Sequence, residues 1–401
     1  MIRRPPRSTL SSSSAASDVY KRQIQDEGRV GYEQYGVPNS GAGDKVCYRL
    51  GNLLLGNNIS SASIEILYGN ASFECINETQ ICITGSDMQP KVNGISLKMW
   101  QVVNVYKGDK IDLSASVNGL RSYIAVKKGI EINEILDSKS THSIFELGGK
   151  KLKNGDIISA TSIYKKDPLD RISLLNKIPN FFEDQDPLYV TRGPEYNLLN
   201  EKSKKVIENQ KFKLSNRMSR TGAQVEGNKL QVKNGKSDII SDGVSAGTIQ
   251  LPKDGNMYVL LEDSQRIGGY ARILNFDILS LYRFSQLKPG DEFKLKIISI
   301  EDAHERLRTL QYNSGLGSGY NIALRDFEMR GGGNLFGTEQ SGHLSNVGLN
   351  FFNKMIKEKA ESLKKGLSGV VKQEKNVVFN MLFLHTLKVL EQLPTMYMYV
   401  C

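Results

Sequence analysis

The sequence of 401 residues is poor in the side chains that bind transition metals, with four cysteines and four histidines. Cys47, Cys75, Cys82 and Cys401 show no CxxC spacing, and no histidine lies near Cys75 or Cys82. A structural zinc site needs closely spaced thiolate and imidazole ligands. We therefore expect no metal, and we expect the cysteines to be reduced, partly buried thiols.

The sequence also has no long apolar run. The longest, around 377–390, is interrupted by Asn380, His385 and Lys388. It falls short of the ~20 residues that a membrane-spanning helix needs. We therefore expect a cytoplasmic protein with no membrane partner.

Two cofactor signatures are missing as well. No GxxxxGK[ST] phosphate loop occurs; the nearest match, at 235–237, has Leu230 where the first glycine should stand. The Ala-Met-Lys-Met phrase of biotin carriers is absent, and Leu97-Lys98-Met99 lacks its context. Any ATP must therefore bind at a site assembled with partner proteins, and any biotin must be supplied in trans by another chain.

The net charge of +10 is concentrated at the two ends of the chain. Residues 1–23 carry five Lys/Arg against one Asp, and residues 302–401 carry twelve against nine acids. The central part, residues 24–301, is therefore only weakly basic, and we do not expect it to bind nucleic acid. Its mixture of apolar and charged residues is typical of a globular chain of two or three domains.

The first 23 residues, MIRRPPRSTLSSSSAASDVYKRQ, are rich in serine and arginine and nearly free of acids. Such a composition fits an organellar transit peptide or a disordered leader. We favour a third interpretation, because the string resembles a translated sequencing-library adapter. All three interpretations predict that residues 1–23 are a disordered leader outside the fold, which is non-native in the third.

The central part is predicted to be mainly β. Short stretches rich in β-branched and aromatic residues predict strands, at 102–106, 122–126, 258–261 and 293–297. A phrase with Gly-Asp at its centre recurs at 106–111, 152–157 and 287–293. In each copy the glycine allows a positive φ and the aspartate can bond the turning backbone, so each predicts a tight turn into a strand. Repeated turns of this kind favour closed or sandwiched antiparallel sheets.

A proline-containing segment at 160–187 divides the central part into two predicted β domains, 24–165 and 187–301. Near the start of the second, residues 195–210 place Leu198, Leu199, Val206 and Ile207 on roughly one side of a helix. The sequence therefore predicts one amphipathic helix between two runs of strands.

Three polar, glycine-rich stretches are candidates for a site. Residues 24–44 hold five glycines, bracketed by Arg29 and Asp44, and such density lets a backbone approach an anion closely. A hairpin with a wide loop is the structural alternative. The second stretch, residues 214–227, contains Arg217 and Arg220. In the third stretch, residues 247–270, a strand is flanked by the polar residues Gln250, Asp254, Asp263 and Tyr270, with Gly268 and Gly269 behind them. All of these could be ordinary turn residues.

These stretches, in this order, resemble the biotin-dependent carboxyltransferase family, which includes the C-type component of 5-oxoprolinase, KipA-like proteins and half of the urea carboxylase carboxyltransferase domain (subdomains A and B). The matching phrases are QDEGRVG at 25–31, GVPNSGAGD at 36–44, RTG at 220–222, IQLPKDG at 249–255 and IGGY at 267–270. The resemblance covers about 24–301. It implies two cyclophilin-like β-barrel domains and a partner subunit of related fold.

The resemblance also implies an activity. It suggests one component of an ATP-dependent hydrolase that opens the cyclic amide 5-oxoproline to glutamate, together with an A-type component and a KipI-like B-type component. In such a site Arg29 and Arg220 would neutralise a carboxylate or phosphate, while Gln250 and Tyr270 would orient the amide. Asp44 or Asp254 would act as base or as a metal contact, with a structural role equally open for each. Ser40, Gly41, Gly268 and Gly269 would complete the substrate site.

Two other activities stay open for the same fold. One is a carboxyltransferase acting on urea or another small acceptor, with carboxybiotin delivered in trans. The other is a non-enzymatic regulatory module that binds a KipI-like partner.

The sequence departs from the family pattern in two places. A first strand is expected ahead of Ile24, and the leader stands there instead, which would leave a sheet edge unpaired. Gly43 replaces the usual methionine of the Ser-Gly-Ala-Met-Asp phrase, so a change in local packing is expected there.

From about residue 302 the sequence changes character. Residues 302–366 are similar to the helical, DNA-coupling segment that follows the second motor lobe in transcription-repair coupling factors. Arg325, Arg330 and Gln340 match that motif's polar contacts. Because the chain has no nucleotide loop to drive such a segment, we expect a chimeric reading frame joined near 300–304, which could leave the chain inactive. A DNA-tracking fragment is the alternative, and 367–401 is expected to be a tail.

Overall fold

The computed structural model describes residues 7–12, 22–142, 147–161, 187–233, 235 and 237–312, with the backbone alone at 7–12, 161 and 307–312. The chain divides into a compact unit, Met1–Arg306, and a second unit from Leu307. Strands dominate the first unit, and the predicted mainly β class is confirmed. The helices of the described residues are α1 (Lys45–Leu54), α2 (Glu201–Asn209), α3 (Ile278–Ser285) and α4 (Ile300–Tyr312).

The first half of the described chain contains twelve strands, and the second half contains eight. Those of the first half are β1 (Arg7–Ser12), β2 (Arg22–Gln25), β3 (Ser63–Leu67), β4 (Ala71–Cys75), β5 (Thr79–Gly85), β6 (Lys91–Val92), β7 (Ile95–Ser96), β8 (Val102–Val105), β9 (Lys110–Leu113), β10 (Arg121–Val126), β11 (Ile130–Glu131) and β12 (Ile157–Thr161). Those of the second half are β13 (Leu188–Arg192), β14 (Lys211–Met218), β15 (Gly222–Glu226), β16 (Asp238–Gly243), β17 (Thr248–Leu251), β18 (Met257–Leu260), β19 (Ile267–Phe276) and β20 (Glu292–Ile297).

The part of the compact unit from β1 to β12, residues 7–161, is called domain A here, and it is built from two sheets around one core. One sheet has the strand order β11-β12-β1-β4-β9-β6-β7, and the other has the order β2-β3-β10-β5-β8. Alternate side chains of these strands point inward, and the fully buried ones include Ile64, Phe73, Ile83, Ile111 and Ile124. Helix α1 covers the five-stranded sheet along β5 and β10.

Strand β1 differs from the expectation of a leader outside the fold. Its backbone pairs antiparallel with β12, where Thr9 faces Ser159, and with β4, where Leu10 faces Cys75. Strand β2, which includes the last two leader residues, is also paired, opposite β3. A strand pairs through main-chain groups that every residue except proline carries in full, so the serine-rich composition of 7–12 did not reveal it. The sheet edge expected to be unpaired is therefore filled by β1.

The part of the same unit from residue 187 to residue 306 is called domain B here, and it contains a closed barrel. The order β13-β20-β14-β15-β18-β17-β19 returns to β13, and β16 extends from β19 outside the ring. All pairings are antiparallel except that of β13 with β20. Closure leaves the ring without a free edge. Its core includes the buried side chains of Val190, Phe212, Val259, Leu274 and Phe284.

The three predicted Gly-Asp turns are confirmed. Gly108, Gly155 and Gly290 have φ of 87°, 82° and 97°. In each turn the following aspartate accepts a hydrogen bond from a main-chain N–H three residues earlier, at 2.8, 2.7 and 2.8 Å. Each turn leads into a strand, namely β9, β12 and β20. The turns were predictable because all of their interactions are local.

The helix predicted over 195–210 is shorter than expected. A 3₁₀ turn at Tyr196–Leu198 precedes α2, whose N-terminus is capped by Asn200, with the Ser203 N–H donating to Oδ1 at 2.8 Å. Leu199 and Ile207 are buried in the barrel core, as the predicted apolar side requires, whereas Leu198 is 40% exposed.

Several predictions concern residues outside the described part of the chain. They are the division at 162–186, the coupling residues Arg325, Arg330 and Gln340, and the tail from 367. Of the predicted helical fragment 302–366, only the backbone of α4 up to Tyr312, with side chains up to Arg306, is described. In the described residues, no helix combines the length and the apolar character needed to cross a bilayer.

Candidate functional site

Arg220 lies at the junction of the two domains, in the turn between β14 and β15. Its guanidinium is buried and pairs with carboxylates from both domains. Nε donates to Asp263 Oδ2 at 3.1 Å, Nη1 donates to Glu65 Oε1, and Nη2 donates to the carbonyl oxygen of Gly41. Every nitrogen of the guanidinium therefore already has a protein partner. The arrangement ties the glycine-rich loop to the mouth of the barrel.

Glu65 is the domain A partner of Arg220 and is fully buried in β3. Its Oε2 accepts hydrogen bonds from the main-chain N–H of Gly43 at 2.9 Å and from the Tyr123 hydroxyl at 2.8 Å. Burial alone would raise the pKa of Glu65, but the positive charges of Arg220 and Arg121 outweigh burial, so the pKa lies below its usual value. Glu65 is therefore held as a carboxylate.

Asp44 begins α1 and contacts both domains. Its Oδ1 accepts from the Cys47 N–H at 3.1 Å, which caps the helix. Its Oδ2 accepts from Gln286 Nε2 of domain B at 2.7 Å. Burial raises the pKa of Asp44 despite these bonds. The structure therefore gives Asp44 two structural contacts, and its predicted role as a base remains a proposal.

The glycines of the 24–44 loop allow its two ends to pack together. A Cβ on Gly28 would lie 2.6 Å from the carbonyl oxygen of Asn39, and one on Gly41 would lie 2.8 Å from that of Glu27. Ser40 is buried with φ of 56°, and its main-chain N–H donates to the carbonyl oxygen of a domain B residue, Glu262, at 3.1 Å. The Ser40 main-chain N–H is therefore engaged by a protein oxygen, and the two ends of the loop pack against each other.

Arg29 is buried beneath this loop and reaches the same junction. Its Nε donates to the carbonyl oxygen of Ile135 at 3.2 Å and its Nη2 to that of Ser140 at 2.5 Å. Burial lowers the pKa of Arg29, while the charges of Asp26 and Asp263 act against this change. The charge of Asp263, which pairs with Arg220, thus also acts on Arg29. Arg29 Nη1 is buried without a hydrogen-bond partner among the described residues.

The remaining predicted site residues make their contacts inside domain B. Gln250, on β17, is buried and faces Gly268, where a Cβ would collide with its amide. Gly269 adjoins Ser241, and Tyr270 is 44% exposed opposite Asp238 of β16. Asp254 accepts hydrogen bonds from Asn256 in an exposed turn. None of these contacts places the residues at the domain junction.

A narrow pocket opens at the junction beside Arg220. It is lined by Gly43, Arg121, Arg220, Leu261, Glu262, Leu281 and Ser285. Arg121 is 2% exposed, and its Nε and Nη1 are buried without a hydrogen-bond partner among the described residues. Burial raises the pKa of Glu262, with the charges of Lys45 and Arg266 acting against this change. The pocket is thus lined by a guanidinium with two nitrogens that have no hydrogen-bond partner and by a carboxyl group whose pKa is raised by burial.

Four residues of the junction were not singled out from the sequence. They are Glu65, Arg121, Glu262 and Gln286. One signal for Glu65 was present: an acid inside the otherwise apolar strand sequence SIEIL, which a buried strand carries only when the charge is paired. Arg121 gave no such signal, because it begins a strand, where a charged residue is ordinary.

The described residues contain no group of three or more His, Cys, Asp or Glu that could hold a metal ion. Cys47, Cys75 and Cys82 are free and buried, as predicted, and Cys401 lies outside the described residues.

Comparison with known proteins shows similarity over the two domains. The chain is 27% identical over 283 residues to the C component of Escherichia coli 5-oxoprolinase, covering 70% of this chain and 89% of the relative. It is 26% identical to urea amidolyase of Lachancea kluyveri, covering 70% of this chain and 17% of the relative. The crystal structure of the K. lactis urea amidolyase matches with a TM-score of 0.66 at 24% identity, covering 78% of this chain and 20% of the other.

A separate similarity concerns 16% of the chain. It is 47% identical over 66 residues to the transcription-repair-coupling factor of Helicobacter pylori strain J99, of which the match covers 7%. The predicted resemblance to that class is therefore confirmed for a fragment. The family model of the carboxyltransferase domain, subdomain A and B, matches residues 35–297, and the chain belongs to this family.

Proposed function

We propose that the chain acts as the C-type component of an ATP-dependent 5-oxoprolinase, which opens the cyclic amide 5-oxoproline to glutamate. The observation that carries this proposal is the extent of the match, since 89% of the Escherichia coli 5-oxoprolinase component is covered, against 17% of the urea amidolyase. The proposal includes an A-type component and a KipI-like, B-type component of related fold as partners. ATP would bind at a site completed by these partners.

The domain junction is the proposed location of the chemistry. Opening the ring adds water to the lactam carbon and breaks its bond to nitrogen, and the nitrogen must gain a proton as it leaves. Glu262 is a candidate for moving that proton, because it lines the pocket and burial raises its pKa. Hydrolysis of ATP would drive the step.

In this proposal neither Arg220 nor Arg29 contacts the substrate directly. The hydrogen-bonding nitrogens of Arg220 are engaged by Glu65, Asp263 and Gly41. Two nitrogens of Arg29, Nε and Nη2, bind main-chain carbonyls, and its Nη1 is buried away from solvent. We therefore assign both as positioning residues, which hold the glycine-rich loop against domain B and so shape the pocket.

The test is turnover by the reconstituted complex. The full chain, combined with its A-type and B-type partners, should release glutamate and inorganic phosphate when given 5-oxoproline and ATP. Omission of this chain should abolish glutamate release, and Glu262→Gln should lower kcat while leaving the complex assembled. Glutamate release that does not depend on this chain would refute the proposal.

Two outcomes of the same experiment would favour the alternatives. Activity that requires a biotinylated protein and bicarbonate would identify a carboxyltransferase, the activity suggested by the similarity to urea amidolyase. Tight association with a KipI-like partner and no turnover of any small amide would identify a regulatory module.

We propose separately that the segment from about residue 302 comes from another reading frame. The proposal rests on the similarity of 66 residues to a transcription-repair-coupling factor and on the absence of a nucleotide loop in the sequence. A single DNA read across the codons for residues 295–310 in the source genome tests it. An uninterrupted native frame would refute it, and salt-sensitive duplex binding by the chain would then support a DNA-tracking role.

A further inference from the structure

Two neighbouring loops of domain A, 30–36 and 134–139, expose large apolar side chains to solvent. Each loop contributes two of them, and the most exposed is a tyrosine with 72% of its surface accessible. Exposed apolar residues that occur singly are ordinary, whereas a contiguous group of them marks a contact surface. The four residues, which we call the apolar rim patch, are Val30, Tyr35, Ile135 and Leu136.

The two loops are fixed to each other by hydrogen bonds. The Tyr32 hydroxyl of the first loop donates to Asp137 Oδ2 of the second at 2.6 Å. From beneath, Arg29 Nε donates to the carbonyl oxygen of Ile135 at 3.2 Å. The 3₁₀ turn Glu33–Tyr35 nevertheless has no buried side chain. The loops are therefore held in place while their apolar side chains stay outside the core.

Leu136 is held in a backbone conformation that is unfavourable for a leucine. The Ile135 main-chain N–H donates to the carbonyl oxygen of Ser138 at 2.9 Å, which closes a tight turn. The two central residues of this turn, Leu136 and Asp137, have φ of 53° and 56°. Turns with two positive φ values favour asparagine and glycine, because a bulky side chain is strained there. The fold thus keeps a strained leucine at the surface, and strain of this kind is concentrated at functional sites.

The polar residues around the patch are mainly acidic. In the loops 30–36 and 134–139 the carboxylates are those of Glu33, Glu134 and Asp137, and the one cation is Lys139, whose Nζ lies 3.7 Å from Glu134. A symmetric contact between two copies would place these acidic rims against each other. Nucleic acid and anionic membranes would meet the same repulsion. The charge therefore selects a protein whose contact face is apolar at its centre and basic at its edge.

The patch lies beside the domain junction. Burial lowers the pKa of Arg266 of domain B, and the charge of Glu33 acts against this change. Arg266 Nη2 in turn donates to the carbonyl oxygen of Glu262 at 3.3 Å. A protein bound to the patch would therefore stand next to the pocket that Glu262 lines.

We propose that the apolar rim patch is the surface that binds the B-type component, through a contact face with an apolar centre and a basic rim. This inference rests on the proposed function, which supplies that component as a partner. It deepens the proposed function by stating where the partner is seated, which is at the edge of the junction where the chemistry is proposed to occur.

The test is binding of the purified B-type component to the full chain, measured by surface plasmon resonance. Leu136→Asn is the most informative variant, because asparagine tolerates the positive φ that strains leucine. The thermal midpoint of the chain should stay the same or rise, whereas the Kd should increase about 10-fold, as for truncation of an interface anchor. A leucine that served stability alone would give the opposite result, a lower midpoint and an unchanged Kd. Tyr35→Ser should raise the Kd by a similar factor.

Two controls match these changes in chemistry but not in place. Ile95→Asn removes an exposed apolar side chain from β7, at the opposite end of the strand order from β11, which leads into the second loop. Glu134→Lys puts a cation into the acidic rim, so it should slow association and weaken the dependence of the association rate on salt. Glu78→Lys, between β4 and β5, is its matched control and should leave the association rate unchanged.

The outcomes separate the inference from the proposed function. Patch-dependent binding without glutamate release by the reconstituted complex would support the surface and overturn the 5-oxoprolinase activity. Glutamate release that requires this chain, with an unchanged Kd in Leu136→Asn, Tyr35→Ser and Glu134→Lys, would overturn the surface and leave the activity standing. The inference would also be overturned by a folded wild-type chain that does not bind the B-type component, or by a wild-type dimer that Leu136→Asn dissociates.

Discussion

Replacing Arg220 with methionine removes the guanidinium that joins the two domains and leaves a side chain of similar length. Glu65 and Asp263 then stay buried without their shared partner. Removing one member of a buried ion pair costs about 3–5 kcal/mol. Glu65 keeps its bonds from Gly43 and Tyr123, so we expect the lower part of that range, about 3–4 kcal/mol.

The assay is urea-induced unfolding followed by tryptophan fluorescence. The chain has one tryptophan, Trp100, and it is buried in the core of domain A. Because Arg220 belongs to domain B, a shift of the Trp100 transition reports coupling between the domains. In thermal unfolding followed by the same fluorescence, the midpoint should fall by about 6–16 °C, from about 2–4 °C for each kcal/mol.

The control is Lys211→Met, which breaks the exposed pair with Glu292 in domain B. An exposed pair contributes about 0–1 kcal/mol. If Arg220→Met cost no more than Lys211→Met, the argument that the junction is held by a buried ion pair would be wrong.

The pH dependence gives an independent check of the same reasoning. The lowered pKa of Glu65 stabilises the folded chain above the ordinary value of 4.5, and this stability is lost as pH falls through the folded pKa. The Arg220→Met variant lacks one of the two positive charges that lower the pKa of Glu65. Burial then raises this pKa, so Glu65 is protonated at a higher pH than in the wild type. The difference in unfolding free energy between wild type and variant should therefore narrow as the pH falls from the folded Glu65 pKa of the variant toward the lower one of the wild type.

Three further predictions follow from the junction, a thiol and a turn. Gln286→Leu leaves two main-chain N–H groups of domain A unpaired and should lower the unfolding free energy by about 2–3 kcal/mol; a urea midpoint equal to that of wild type would contradict this. Burial raises the pKa of Cys75 to about 11, so in a Cys401→Ser background a thiol reagent at about pH 8 should react only after denaturation; immediate labelling would contradict it. Asp291→Ala removes the side-chain acceptor of the turn before β20 and should cost only about 0.5–1 kcal/mol in the same unfolding assay.

The features that the sequence predicted well depend on neighbouring residues. The side-chain hydrogen bonds of the Gly-Asp turns are made within three residues along the chain. Their chemistry can therefore be recognised without knowing the fold. The same is true of the alternating strand β20.

The junction could not be predicted in the same way, because its partners are far apart in the sequence. Arg220 and Glu65 are separated by 155 residues, and Gln286 and Asp44 by 242. Arg29 and Arg220 were recognised by their place in family phrases, but that did not show that their donors are largely engaged by protein oxygens. Strand β1 was missed because main-chain pairing leaves little trace in composition.

The parallel pairing of β13 with β20 has a consequence for biosynthesis. Leu188 is opposite Leu295, so translation must proceed for roughly 100 residues after the first strand of the barrel before its partner exists. At roughly 5–20 residues per second this takes about 5–20 s. During that interval the nascent polypeptide presents an unsatisfied strand to other emerging chains and to chaperones. Stalled or truncated products that end before β20 should therefore be the aggregation-prone species in the cell.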